Sequence, residues 1–393
     1  MNHPNATWRQ ALLTLAFRPF FLLGSLWAAV SIILWMGMLH GGLILPSRFD
    51  PLSWHIHEML FGWILAAVAG FLLTAIPNWT GRPPVRGAML GALAVVWLLG
   101  RIVGAVSLYL PWWLAAAVDV AFPAMVCTLA WREIVGAGNR RNLPMPIPVA
   151  LLGVASLLMH LQQAGVDLGI PIADGLGWRL AMAAVSILIA VIGARIIPAF
   201  TRNWLTAKRI QAQPTGSRAL DIAATATLHG GLLAWAMLPQ VRAIGLLLLA
   251  AAALNLWRTL RWAGRATLGE PLLAILHLGY LWLVAGAALL GLSQLGMAWL
   301  QVAAIHALTA GAMGTMVLGV MTRVSLGHTG RPLAADRMTT GIYIAVSAAA
   351  LCRIGAALLP APLLLSASAA CWTLAFLMFV ARYGAVLLQP RLR

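Results

Sequence analysis

The sequence predicts an all-α polytopic membrane protein of about twelve transmembrane helices. The 393 residues are 62% hydrophobic and only 9% charged. Uninterrupted apolar runs of about twenty residues recur along the chain, the length a helix needs to cross the hydrocarbon core. Lipid offers no partners to backbone N–H and C=O groups, so such runs must satisfy them internally as helices, and the alternating pattern of a membrane barrel is absent.

The spans fall at about 18–40, 51–76, 87–108, 110–131, 146–163, 173–200, 219–238, 241–257, 270–292, 297–321, 338–358 and 361–386. The first follows a short polar stretch that includes Arg9, which suits an uncleaved membrane segment. The second opens with Asp50 as N-cap and Pro51 at the first helical position, and Glu270-Pro271 repeats that signal at the ninth. Short cytoplasmic loops collect Lys and Arg. With the N-terminus inside, twenty basic residues fall on the inner side and four (Arg48, Arg179, Arg242 and Arg353) on the outer. Both termini are therefore expected in the cytoplasm. The net charge of +17 is spread over these loops without a basic tract, so topology accounts for it better than nucleic-acid binding. Cys127, Cys352 and Cys371 stand singly and form no Cys-x-x-Cys or Cys-x-x-Cys-His pattern. Thiolate metal sites and covalently attached haem are accordingly not expected.

The second and tenth spans share a motif. His57, Gly62, Gly70, Thr80, Gly81, Arg82 and Pro83 recur as His306, Gly311, Gly319, Thr329, Gly330, Arg331 and Pro332, each 249 residues later. That offset equals eight spans, which suggests one transmembrane domain over 1–393 built from three quasi-repeats of four helices, at about 1–140, 141–266 and 267–393. The sixth span, at the equivalent place in the middle unit, has no matching histidine.

Phe17-Arg18-Pro19-Phe20-Phe21, Trp54-His55-Ile56-His57-Glu58-Met59, Pro77-Asn78-Trp79-Thr80-Gly81-Arg82, Arg195-Ile196-Ile197-Pro198-Ala199-Phe200-Thr201-Arg202-Asn203 and His328-Thr329-Gly330-Arg331-Pro332 resemble the motifs of the NnrS family of bacterial inner-membrane proteins, along essentially the whole chain. The resemblance implies a twelve-span protein containing haem and copper, linked to nitric oxide metabolism, denitrification and defence against nitrosative stress. It leaves the net reaction and the electron donor open. A distant architectural analogy is to haem-copper oxidase and nitric oxide reductase subunits, which take haem ligands from their second and tenth spans.

Ionisable groups at membrane depth are costly and persist where they ligate, relay protons or pair. His57 and His306 occupy matched depths in the repeat and are assigned to a b-type haem, with imidazole at both axial positions. His55, His160 and His229 are the copper candidates. His55 and His57, two residues apart, point about 200° away from each other on an α-helix, and Glu58 is expected to share a face with His55 at i, i+3. Glu58 is either a proton relay or a partner that orients a neighbour. Arg101 and Asp119, at similar depths on consecutive spans, are expected to neutralise each other. His40 and His277 are read as bystanders. Arg82 and Arg331 sit in Thr-Gly-Arg-Pro turns and are read as helix anchors, with contact to haem propionates or lipid phosphates as the functional alternative.

The sequence thus points to a haem-copper protein acting on nitric oxide or its nitrosyl-iron adducts, as an oxidoreductase or a scavenger. The alternatives are a twelve-span secondary transporter, against which the repeat offset and the outer histidines argue, and a haem-based sensor or assembly factor without turnover.

Overall fold

The computed structural model describes residues 8–166 and 173–392. Among them there is no strand, and eleven helices are long and apolar enough to cross a membrane. We number the long helices α1 (Phe17–His40), α2 (Pro51–Thr80), α3 (Ala88–Val106), α4 (Trp112–Gly136), α5 (Ile147–Gln163), α6 (Leu176–Ala207), α7 (Arg218–Met237), α8 (Ala243–Leu260), α9 (Pro271–Gln294), α10 (Ala298–Gly327), α11 (Arg337–Leu358) and α12 (Pro362–Leu388). Each matches one expected span. The helix outside the eleven is α7, which carries Arg218, Asp221 and His229 within twenty residues.

Helix starts follow the local chemistry. The Asp50 carboxylate accepts from the backbone N–H groups of Leu52 at 3.0 Å and Ser53 at 3.1 Å. Glu270 and Asp336 cap α9 and α11 in the same way. Such caps satisfy donors that no preceding turn can reach. The sequence ends α2 too early, at residue 76. Pro77-Asn78-Trp79-Thr80 stays helical, and the chain turns only at Gly81, whose φ of +70° suits a residue without Cβ. Gly330 repeats this turn with φ +74°.

The chain forms two compact units: Met1–Ala181, Val324–Pro332 and Phe376–Arg393 in one, Met182–Arg323 and Leu333–Ala375 in the other. In the first, α2 packs against α1 and α4, α3 against α4, and α4 against α5. In the second, α8 packs against α7 and α9, and α9 against α10.

The backbone carries the sequence repeat further than the sequence does. A π-helical stretch interrupts α2 at Glu58–Ile64 and α10 at Ala307–Met313, again 249 residues apart. The helices that precede them repeat too, at an offset of 255. Gly24 approaches Ala66 in the first pair as Gly279 approaches Thr315 in the second, Gly62 faces Trp27 as Gly311 faces Trp282, and Gly70 meets Phe20 and Phe21 as Gly319 meets Ile275 and Leu276. At Gly62 a Cβ would lie 2.5 Å from Trp27 Nε1, so only glycine lets the indole pass. The helix α6 is α-helical throughout.

Candidate functional site

Four helices of the first unit bring buried ionisable groups together one to two turns from the same ends: His57 and Glu58 early in α2, Arg101 late in α3, Asp119 early in α4 and His160 late in α5. None is more than 6% exposed. Arg101 forks across both carboxylates, donating from Nη1 to Glu58 Oε2 at 2.6 Å and from Nη2 to Asp119 Oδ1. The His57 ring sits between the same two acids, with Nδ1 3.1 Å from Glu58 Oε1 and Nε2 3.1 Å from Asp119 Oδ2. Trp27 Nε1 donates to Glu58 Oε2 at 2.8 Å, and the Ser156 hydroxyl donates to Asp119 Oδ2. His160 Nε2 lies 3.6 Å from that oxygen, beyond hydrogen-bond reach, and has no hydrogen-bond partner.

Glycines make this crowding feasible. A Cβ at Gly104 would stand 3.0 Å from Glu58 Oε1, and one at Gly100 the same distance from Asp119 Oδ1. Phe49 stacks on the His57 ring at 4.8 Å and Phe61 lies at 4.9 Å, so the imidazole has aromatic walls. The π-helical stretch adds a further feature: Trp97 Nε1 donates to the Gly62 carbonyl at 2.9 Å.

The structure groups the sequence candidates differently from the sequence. Glu58 bonds its chain neighbour His57, and the expected pairing with His55 does not form because the His55 ring turns to Trp35. His55 points elsewhere and stacks on Trp35 with ring centroids 4.1 Å apart. Arg101 and Asp119 do meet, within a larger network that includes Glu58 and His57. One copper candidate, His160, and one haem candidate, His57, share a carboxylate: His57, Asp119 and His160 offer ligand atoms all within 4.8 Å of one another.

His229 and His306 belong to the second unit. Arg258 Nη1 donates to the Thr225 hydroxyl at 3.1 Å, one helical turn before His229, and so sets a positive charge near that ring. His306 Nδ1 bonds the Val302 carbonyl at 2.8 Å, which makes Nδ1 the protonated nitrogen and leaves the Nε2 lone pair for other use. His277 Nε2 bonds the Thr201 hydroxyl at 2.9 Å. Arg82 pairs with Glu133 at 2.5 Å, whereas Arg331 donates to the Gln389 side chain at 2.8 Å.

Sequence reasoning missed Trp27 and Ser156. Three ionisable residues, Glu58, Arg101 and Asp119, were the available signal: two acids and one base leave a charge that a fourth group must meet.

Fold and site together define a multi-pass helical membrane protein with a buried histidine–carboxylate cluster suited to holding a metal. The chain belongs to the NnrS family, whose description, NnrS protein, matches residues 11–391. It is therefore a membrane protein tied to the nitric oxide response, from a family known for metal binding. No curated protein matches the chain.

Proposed function

We propose that the protein is an inner-membrane metalloprotein that handles nitric oxide or nitrosyl-iron species, with copper held by His57, Asp119 and His160. The observation that carries this reading is His160 Nε2, a buried nitrogen without a hydrogen-bond partner aimed at the carboxylate that His57 shares. Buried polar atoms are ordinarily satisfied, and an unsatisfied one beside ligand-type atoms marks a missing partner. Two imidazole nitrogens with one carboxylate oxygen form a donor set open to copper, zinc or ferrous iron, and copper is the choice that the family resemblance adds.

The charge of the network favours a monovalent ion. A neutral imidazole donates from one nitrogen only, so with both acids ionised His57 donates to both as imidazolium. The cluster is then neutral, and exchanging the His57 proton for Cu(I) keeps it neutral, where a divalent ion adds a buried charge. Copper bound there would supply a one-electron couple and a coordination position for nitric oxide. Glu58 and Arg101 orient the His57 ring from the Nδ1 side and hold the proton at that atom.

A haem at His306 is a second reading, supported by the Nδ1 contact to Val302, which leaves Nε2 as the nitrogen that would hold the iron. His57 is kept for copper in this reading, because Asp119 and His160 beside its Nε2 supply further ligand atoms. Metal analysis and absorption spectra of the purified protein, before and after nitric oxide, test both readings. About one copper per chain and a spectrum that nitric oxide alters are expected, and a colourless, metal-free preparation would move the weight to a transporter. Catalytic nitric oxide consumption with an added reductant separates an oxidoreductase from a scavenger, a sensor or an assembly factor.

For orientation, the basic loops favour both termini in the cytoplasm. Reporter fusions after Arg86 and after Lys208 are both expected to report cytoplasm, and a periplasmic signal from either breaks the twelve-span topology.

A further inference from the structure

The two Thr-Gly-Arg-Pro turns share their backbone and differ in counter-charge. In the first, Glu133 accepts from Arg82 Nε at 2.5 Å and also pairs with Arg132 at 3.0 Å. In the second, no carboxylate among the described residues lies within salt-bridge reach of Arg331. Its Nη2 reaches only the neutral Gln389 side chain, and its Nη1 is buried with no hydrogen-bond partner.

Other cations surround it. Arg18, 2% exposed, donates from Nη1 to the carbonyls of Leu387 and Gln389 at the end of α12, and lies near enough to Arg331 for like-charge repulsion. Burial, and after it the charge of Arg382, lowers the Arg331 pKa. Arg391 acts in the same sense on His328. Residues 389–392 lie over the turn, with Leu392 N–H donating to the Thr329 carbonyl at 2.9 Å, which holds Arg391 on this side. The helix-end carbonyls of α12 answer part of the Arg18 charge. Among the described residues nothing comparable answers Arg331.

The geometry points to a binding site for the phosphate of an anionic phospholipid, formed by Arg331 with Arg391 at the ends of α10 and α12. A phosphate oxygen takes the place that Glu133 holds at the first turn, and Nη1 supplies the unused donor. A lipid headgroup is the source the position favours, because the site lies where membrane helices end, at headgroup level.

The test is native mass spectrometry and thermal unfolding of the full chain in detergent, with phosphatidylglycerol, phosphatidylcholine or inorganic phosphate added separately. Phosphatidylglycerol alone is expected to remain bound and raise the melting temperature. Arg331→Gln should weaken that binding roughly fivefold, Arg331→Gln with Arg391→Gln should abolish it, and Arg82→Gln should leave it unchanged. Equal binding of phosphatidylcholine, the same stabilisation by inorganic phosphate, or wild-type retention by the double variant each overturns the proposal. Should the Arg331 variants fail to fold, the comparison of the three additives on the unmodified protein still decides it.

Discussion

Arg101→Met is expected to destabilise the folded protein by about 3–5 kcal/mol, the range for removing one partner from a buried ion pair. Arg101 is 3% exposed and, among the described residues, is the sole arginine bonded to Glu58 and Asp119. Methionine fills similar volume, so the loss reports charge and hydrogen bonding and not a cavity. Removing the guanidinium leaves two buried acids to share one imidazolium. Adding Glu58→Gln and Asp119→Asn to Arg101→Met removes the excess charge and should recover most of the stability, as replacing whole buried ionic groups with neutral ones often does. Denaturant unfolding of metal-free protein in detergent measures both. A single-variant loss below about 1 kcal/mol, the scale of an exposed pair, would show that the network contributes little to the folded state.

What the sequence made legible follows from how each feature is encoded. The spans were legible because bilayer crossing imposes length and apolarity on local sequence, and Asp50-Pro51 marked a helix start for the same local reason. The repeat was legible in α2 and α10 through residues with strict steric roles: Gly62 and Gly311 face tryptophans, and Gly81 and Gly330 take positive φ. Its extension to α1 and α9 was hidden because the two pairs have connecting loops of different length, which changes the offset from 249 to 255. The site was legible in its parts and not in its assembly. Depth placed His57 with His160, and separately Arg101 with Asp119, but did not join the two pairs. The partner of Glu58 depended on which way the His55 and His57 rings turn, which spacing does not fix, and Trp27 and Ser156 resemble ordinary interior residues until the fold turns them inward.

The repeat also shows how two similar backbones can hold different chemistry. Trp27 donates to Glu58, but the equivalent of Glu58 in α10 is Ala307, and Trp282 Nε1 is buried without a hydrogen-bond partner. The first copy therefore fixes its histidine between acids, and the second turns its histidine to a backbone carbonyl. The proposed cation site rests on the first arrangement, and the second leaves Nε2 of its histidine as the nitrogen turned away from the backbone contact.

Those two environments should separate under mutation. His57→Ala and His160→Ala are each expected to lower copper affinity by more than about 100-fold, since loss of an outer-sphere partner alone costs 10–100-fold. Copper content after dialysis against a chelator of known affinity measures this. His55→Ala should retain copper, because that ring stacks on Trp35 outside the group, and His229→Ala should retain it because Arg258 already disfavours a cation there. His306→Ala should abolish a haem absorption band and leave copper content unchanged. Far-ultraviolet circular dichroism and gel filtration distinguish loss of metal from loss of fold. If His160→Ala keeps its copper while His55→Ala or His229→Ala loses it, copper lies elsewhere, and the unsatisfied His160 nitrogen must be answered by something other than a metal.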